Sequence, residues 1–382
     1  MIEMNIEILG ITTHNKGAML MLEAVLDRVR SAFPEARIGI PAIFPAAERE
    51  KYNLYATWPR ERGKFDASFA VELIPTFIRK PVKLMARSEV DVILDVSGFA
   101  YGDYWAPRLM ARRLTDTLPK WRTGNKAAIL LPQAFGPFKS DGRAEDFRKV
   151  LDNSDLVYVR DRASMVYVNE VAPGHPAVRA APDFTNLLHP ELPVGYRPLT
   201  NTALITPNQK MTSRSSVEEK SLYIGFLARA VEKLRASGRT AMFLIHETSK
   251  DRAIADAVNE RLAAPADILE EPSPLITKAL IGTADLLVSS RFHALVSALS
   301  AGVPAMASGW SHKYAELMGD YDQSRFLIDY KMETDWDSEI DAFIEAADDR
   351  ATRDALRRAG DLQRERSEAM WEEVIARMRR AG

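Results

Sequence analysis

The 382-residue sequence contains no cysteine. This absence excludes structural disulfides, thiol nucleophiles and cysteine-ligated zinc, and it fits a reducing cytoplasm, where we expect the protein to act. No apolar run approaches the roughly 20 residues that a membrane-spanning helix needs. The amino terminus also lacks the basic segment of a signal peptide. We therefore expect no membrane span, while peripheral contact with a membrane surface stays compatible with the sequence.

An excess of charge of one sign is missing as well. Lys and Arg number 51, Asp and Glu number 53, and the formal net charge is −2. Such a balance argues against a nucleic-acid partner. The six histidines lack metal-ligand spacing, and no P-loop, His-Glu-x-x-His or complete Gly-x-Gly-x-x-Gly motif is present. We predict no metal and no bound cofactor.

Strand-like apolar runs alternate with helical spacing along the chain, which predicts an α/β fold with mainly parallel sheets. The predicted strands are residues 4–9, 90–96, 127–131, 155–159, 202–206, 241–246, 285–289 and 304–307. The predicted helices are residues 18–33, 143–151, 216–236, 252–263, 274–283 and 294–301. Residues 52–90 are less regular, and either a mobile insertion over the active cleft or a plain packing helix fits them.

The proline-containing stretch near residues 188–200 predicts a linker between two domains. We expect two Rossmann-like domains in a glycosyltransferase-B-like arrangement. Residues 1–190 would form the first domain and residues 200–348 the second. Residues 349–382 have helical spacing and predict a long C-terminal helix that packs across the domains.

The most informative stretch is Ser-Arg-Phe-His-Ala at residues 290–294, between a predicted strand and a predicted helix. Ser290 is the expected N-cap, with Arg291 and His293 on the first helical turn. A helix N-terminus favours anions, and the carboxyl end of a strand is where open α/β sheets bind ligands. With Lys313 nearby, this pattern predicts an anion site. Ordinary polar capping of the helix is the alternative.

Arg-x-His-Ala-Leu followed by Ala-Gly-x-Pro and then Lys313 resembles the C-terminal signature of the polysaccharide pyruvyl transferase family. Five earlier segments are similar to that family in the same order: residues 10–18, 91–98, 131–137, 157–164 and 181–183. The sequence departs from the family pattern at Ala18, Ser97 and Phe292. The first two departures lie in the N-terminal half and bear on the acceptor more than on the donor.

The resemblance implies transfer of a pyruvyl group from phosphoenolpyruvate to a sugar of a polysaccharide or its precursor, giving a cyclic ketal. The acceptor would be a sugar, an oligosaccharide or a lipid-linked glycan. The resemblance implies that residues 1–190 form the acceptor side and residues 200–348 the donor side. The donor's carboxylate and phosphate match arginine forks and an ammonium group, for which Arg160, Arg291 and Lys313 are the candidates. Asn15 and Gly17 follow the first strand and are expected to hold donor or acceptor. A tight turn that needs glycine is the alternative there.

Ketal formation first requires a proton on the methylene carbon of the donor. His293 is the candidate acid because histidine titrates near neutral pH; a simple hydrogen bond to the phosphate is its alternative role. Asp95 and Asp183 both follow strands, but each could equally cap a loop or hold an arginine, so the base stays unassigned. Two rival functions remain: a nucleotide-sugar-dependent glycosyltransferase of the same architecture, and a non-catalytic member of the fold.

Overall fold

The computed structural model describes residues 4–58, 71–106, 108–213, 215–247, 249–309, 313–332 and 335–381. The chain forms two compact units. Unit 1 comprises Met1–Thr13, Met21–Phe184 and Arg366–Gly382, and unit 2 comprises His14–Leu20 and Thr185–Glu365. The sequence had not indicated that residues 14–20 group with the C-terminal half, or residues 366–382 with the N-terminal half. The acceptor and donor roles of the two halves stay predictions.

Unit 1 is built on a parallel sheet with the order β4-β3-β2-β1-β5-β7-β8-β9, and β6 pairs with β7. Its described strands are β1 Asn5–Leu9, β2 Arg37–Pro41, β3 Tyr55–Thr57, β4 Leu84–Met85, β5 Val92–Asp95, β6 Phe99–Tyr101, β7 Ala127–Phe135, β8 Leu156–Val159 and β9 Val178–Ala180. The central strands β5, β7 and β8 are buried along their whole length. Continuous apolar runs suit strands that are covered on both faces.

Helices follow most of these strands. Those described here are α1 Lys16–Ala32, α2 Ala46–Lys51, α3 Thr76–Arg79, α4 Arg108–Met110, α5 Leu118–Trp121, α6 Arg143–Asp152 and α7 Arg162–Val171. A π-helical turn, Ala111–Thr115, continues α4. The first turn of α1 belongs to unit 2.

Unit 2 is a five-stranded parallel sheet of β10 Thr202–Thr206, β11 Thr240–Ile245, β12 Asp267–Glu270, β13 Leu286–Ser289 and β14 Ala305–Ala307. The strand order is β12-β11-β10-β13-β14. All strands are parallel, but the direction in which successive strands are added to the sheet reverses between β10 and β13. The remaining described α-helices are α8 Val217–Ala236, α9 Ser249–Asn259, α10 Pro274–Thr283, α11 Phe292–Ser300, α12 Lys313–Asp320, α13 Trp336–Asp348 and α14 Arg350–Met378, of which α14 belongs to unit 1 from Arg366 onwards. Ligands of such sheets bind at the carboxyl ends of the strands, at this reversal.

The strongly periodic elements lie where the sequence predicts them, whereas several short strands were missed, both inside a sheet, as β2 is, and at an edge, as β12 is. Strand 202–206 and helix 274–283 have the predicted bounds. Strand β7 extends four residues beyond its predicted end because residues 132–135 are buried too. In the irregular segment 52–90 the described residues form β3, α3 and β4, and residues 59–70 lie outside the described part.

Candidate functional site

The strongest candidate site lies in unit 2, at the carboxyl ends of β10, β11 and β13. Strand β13 ends at Ser289, and Arg291 is the N-cap residue of α11. The prediction of Ser290 as N-cap is therefore wrong. The Ser290 Oγ instead contacts the Tyr223 hydroxyl at 2.8 Å and the Ser308 Oγ at 2.7 Å. These buried hydroxyls fix the turn that carries Arg291.

Arg291 is held by two carboxylates. Its side chain is 6% exposed, and Nη2 donates to both carboxylate oxygens of Asp251, at 2.6 and 2.5 Å. Nη1 donates to Glu247 Oε2. Asp251 is fully buried, and its Oδ1 also accepts the backbone N–H of Gln209 at 2.9 Å. The arginine charge is thus already balanced, and among the described residues its Nε has no hydrogen-bond partner.

His293 lies two residues further along α11 and packs against the first turn of α1. A Cβ added to Gly17 would stand 2.0 Å from the His293 Nδ1, so the imidazole occupies the space above a bare glycine Cα. Gly17 is helical, and the alternative of a glycine-dependent tight turn is wrong. Asn15 precedes the helix, and its Oδ1 accepts the Ala18 backbone N–H at 3.2 Å. The loop predicted to face a ligand thus contacts the proposed acid.

Replacing Gly17 with alanine is expected to displace the His293 ring and to destabilise the protein by about 1–3 kcal/mol, the usual cost of overpacking. Urea unfolding and the ring signals of His293 in NMR spectra would measure the two effects. Gly225→Ala is the matched control, because Gly225 is also helical and its added Cβ meets nothing closer than 3.5 Å. Equal behaviour of the two variants would contradict the packing described.

Two cluster members were missed as site residues, Lys16 and His246. The Lys16 Nζ donates to the Ile245 carbonyl at 3.0 Å. Burial lowers the pKa of Lys16, and Glu271, Glu247 and Asp251 oppose that shift. His246 is 2% exposed, and neither ring nitrogen has a partner among the described residues. Burial, and then the charges of Lys16, Arg291 and His293, hold the pKa of His246 well below its usual value. His246 is therefore neutral at neutral pH.

The sequence contains a signal that could have identified each of these two residues as a site residue. Lys16 stands between Asn15 and Gly17, in the loop already singled out. His246 ends the predicted strand 241–246 and thus stands at the sheet edge where ligands bind.

Lys313 begins α12 close to the start of α11. Its Nζ lies 5.0 Å from the centre of the Phe292 ring, a cation–π distance. The Phe292 and His293 rings stand edge to face, with their centres 5.4 Å apart. Lys313 and His293 thus both contact the Phe292 ring, and the binding and acid roles of the two residues stay predictions. Residues 310–312, which complete the predicted motif, lie outside the described part of the chain.

Arg160 and the two candidate bases lie in unit 1. The Arg160 Nη1 donates to Asp183 Oδ2 at 3.0 Å, and both side chains are at most 5% exposed. Asp95 is fully buried; its carboxylate accepts from the Tyr101 hydroxyl at 2.5 Å and from Gln133 Nε2 at 3.1 Å. Both aspartates thus hold a neighbouring side chain. This geometry matches their alternative role better than that of a base.

Candidate metal sites and membrane-spanning helices are both absent from the described part of the chain. No group of three or more His, Asp or Glu side chains there could hold a metal ion. No described helix is both long and apolar enough to cross a bilayer.

The parallel sheets and the site at their carboxyl edge define the class as a Rossmann-like α/β protein. The chain belongs to the polysaccharide pyruvyl transferase family, whose model matches residues 15–312. This confirms the resemblance drawn from the motifs. No functionally curated protein matches the sequence.

Solved structures show the same fold at low identity. HepE from Anabaena, in complex with UDP-glucose, is 12% identical over 98% of each chain, with a TM-score of 0.55. A glycosyltransferase from Rickettsia africae is 12% identical over 97% of this chain and 98% of its own, at 0.58. MurG from Acinetobacter baumannii is 13% identical over 97% of this chain and 98% of its own, with a TM-score of 0.50. The predicted glycosyltransferase-B-like fold class is confirmed.

Proposed function

We propose that this protein transfers a pyruvyl group from phosphoenolpyruvate to two hydroxyls of a sugar in a polysaccharide or its precursor. Family membership supports a glycan-modifying transferase. The observation that carries the finer proposal is the cluster of Arg291, His293 and Lys313 at the carboxyl end of β13. It combines cationic groups for an anionic donor with a titratable imidazole.

In the proposed reaction His293 gives a proton to the methylene carbon of phosphoenolpyruvate. The electron pair of the C=C bond forms the new C–H bond and leaves the neighbouring carbon cationic. One sugar hydroxyl forms a C–O bond to that carbon and releases its proton. The C–O bond to phosphate then breaks with its electron pair, and the second hydroxyl forms the second C–O bond. One released proton restores His293, and the other leaves on inorganic phosphate.

The geometry supports a distinct role for each cation. Lys313 is half-buried, its Nζ lies over the Phe292 ring, and it would pair there with the donor phosphate. Arg291 is buried and balanced by its carboxylates, and it would hold the N-terminus of α11 in place beneath the donor. Lys16 and the buried, neutral imidazole of His246 add donors at the same strand ends.

Calorimetric titration with phosphoenolpyruvate, and with UDP and CMP for comparison, tests the proposal in the absence of added metal. We expect phosphoenolpyruvate alone to bind. Lys313→Ala should weaken binding about tenfold or more, since a charge-assisted hydrogen bond contributes about 1.5–3 kcal/mol. Arg291→Ala should lose both binding and turnover. Lys220→Ala, which removes the same charge from an exposed position of α8, is the matched control and should bind normally.

Glycosyl transfer from a nucleotide sugar is the second candidate, favoured by the likeness to HepE, which was solved with UDP-glucose. Binding of UDP or CMP without phosphoenolpyruvate would replace the first proposal with this one. Binding of none of the three would count against both and favour a non-catalytic member of the fold.

A further inference from the structure

A recess lies in unit 2, at the opposite end of α11 from Arg291 and His293. Its volume is about 440 Å³, and its wall includes His189, Arg357 and Arg364. Helix α11 has nine residues, so its ends are on the order of 13 Å apart at 1.5 Å per residue. The volume falls in the range of roughly 300–1,000 Å³ that is typical of small-molecule sites. The recess is therefore separate from the candidate site and large enough for a small organic ligand.

The wall of the recess is basic. Besides the two arginines and the histidine it contains Ser300, Gly302 and Gly360, and no described Asp or Glu lines it. Each arginine pairs with an aspartate of its own helix that stands outside the wall, Arg357 with Asp354 and Arg364 with Asp361. Behind the wall the Lys278 side chain is 4% exposed, and its Nζ donates to the Ser300 Oγ at 3.2 Å. A concave, basic surface of this kind favours an anionic ligand.

Capping of α11 explains only part of this charge. The last turn of a helix attracts cations by itself, and the Arg364 Nη1 indeed donates to the Ser300 carbonyl at 3.0 Å. The Leu299 carbonyl is already bonded to the Gly302 N–H at 3.1 Å. Arg357 takes no part in the cap, because its hydrogen bond goes to Asp354 at 3.0 Å and its side chain is 62% exposed. Arg357 therefore has nitrogens available for a ligand.

His189 adds a neutral donor to the wall. Burial, followed by the charges of Lys278 and Arg364, lowers the pKa of His189 below its usual value. A neutral imidazole carries one N–H that can donate. Bare glycines leave space beside the cations: a Cβ at Gly302 would stand 3.2 Å from Arg357 Cγ, and one at Gly360 would stand 3.4 Å from Arg364 Nη1.

We propose that this recess binds the phosphoryl group of a small organic phosphate, with Arg357 and Arg364 exchanging their exposed partners Asp354 and Asp361 for the phosphate oxygens and His189 donating a hydrogen bond. Exposed ion pairs contribute little free energy, so a phosphate can replace the aspartates. Arginine forks match phosphate oxygens in geometry as well as in charge. The volume leaves room for an organic portion beyond the phosphoryl group. This binding site goes beyond the proposed transferase activity, which requires only a donor and an acceptor.

Calorimetric titration of the full-length protein with glucose 1-phosphate, inorganic phosphate and glucose tests the assignment. We expect glucose 1-phosphate to bind more tightly than inorganic phosphate, and glucose not to bind. Arg357→Ala should weaken glucose 1-phosphate binding about tenfold. The matched control is Arg350→Ala, which removes an arginine from the same helix that also pairs with Asp354, at 3.7 Å, but does not line the recess. Its affinity should change less than twofold.

Three results would overturn the proposal. The first is that neither phosphate binds. The second is equal weakening in Arg357→Ala and Arg350→Ala, which would assign the effect to general charge. The third is inorganic phosphate binding as tightly as glucose 1-phosphate, which would leave no role for an organic portion. Circular dichroism of both variants checks that each is folded.

Discussion

His293→Ala is expected to lower turnover by about 10²–10⁴-fold, the usual contribution of a general acid, while phosphoenolpyruvate affinity changes little. The imidazole packs on Gly17, so its removal opens a small gap beside the first turn of α1. The Ser297 hydroxyl bonds the His293 main-chain carbonyl at 2.6 Å, and that contact survives the substitution. Release of inorganic phosphate, with an acceptor that supports it in the wild type, gives the rate, and calorimetry gives the affinity.

His293→Gln separates the two roles that the sequence left open. Glutamine keeps a hydrogen-bond donor but cannot titrate. If His293 is the acid, the His293→Gln variant should be as inactive as His293→Ala. If His293 only contacts phosphate, the His293→Gln variant should keep most of the wild-type activity. His175→Ala is the control, because that ring pairs with Asp152 near the surface and has no proposed part in the reaction. Near-normal turnover in both His293 variants would rule out His293 as the general acid.

Features that depend on local sequence could be predicted. Helix α11 and the strands before and after it follow from apolar periodicity, and they place Arg291 and His293 at a sheet edge without knowledge of the rest of the chain. The parallel sheets follow from the alternation of strands and helices. Strand β12 was missed because it lies at the edge of the sheet and its four residues, Asp-Ile-Leu-Glu, begin and end with exposed charges.

Contacts between distant segments could not be predicted. Gly17 and His293 are separated by most of the chain, and neither sequence neighbourhood indicates that a missing Cβ makes room for an imidazole. The same holds for Arg291, whose sequence suggests a free cation although Asp251 and Glu247 bind it. Such pairings depend on which strand ends the topology brings together, which is decided by the whole sheet.

Asp251→Ala is expected to destabilise the protein by about 3–5 kcal/mol, the cost of breaking a buried ion pair by removing one partner. Arg291 would keep only Glu247 against its buried charge, and the Gln209 N–H would lose its acceptor. The N-terminus of α11 would then lose its anchor, so we also expect weaker binding of phosphoenolpyruvate. Urea unfolding followed by circular dichroism measures the first effect and calorimetry the second.

Two companion variants make this test specific to the Arg291 pair. Asp251→Asn keeps the shape and one acceptor oxygen but removes the charge. The stability of this variant should therefore lie between that of the wild type and that of Asp251→Ala. Asp256→Ala removes an exposed carboxylate from the same helix, α9, where it pairs with Arg252 at 2.9 Å, and should leave stability unchanged because exposed pairs contribute little. If Asp251→Ala were no less stable than Asp256→Ala, the buried pair would not anchor α11, and the site would owe its geometry to the Ser290 hydroxyl cluster instead.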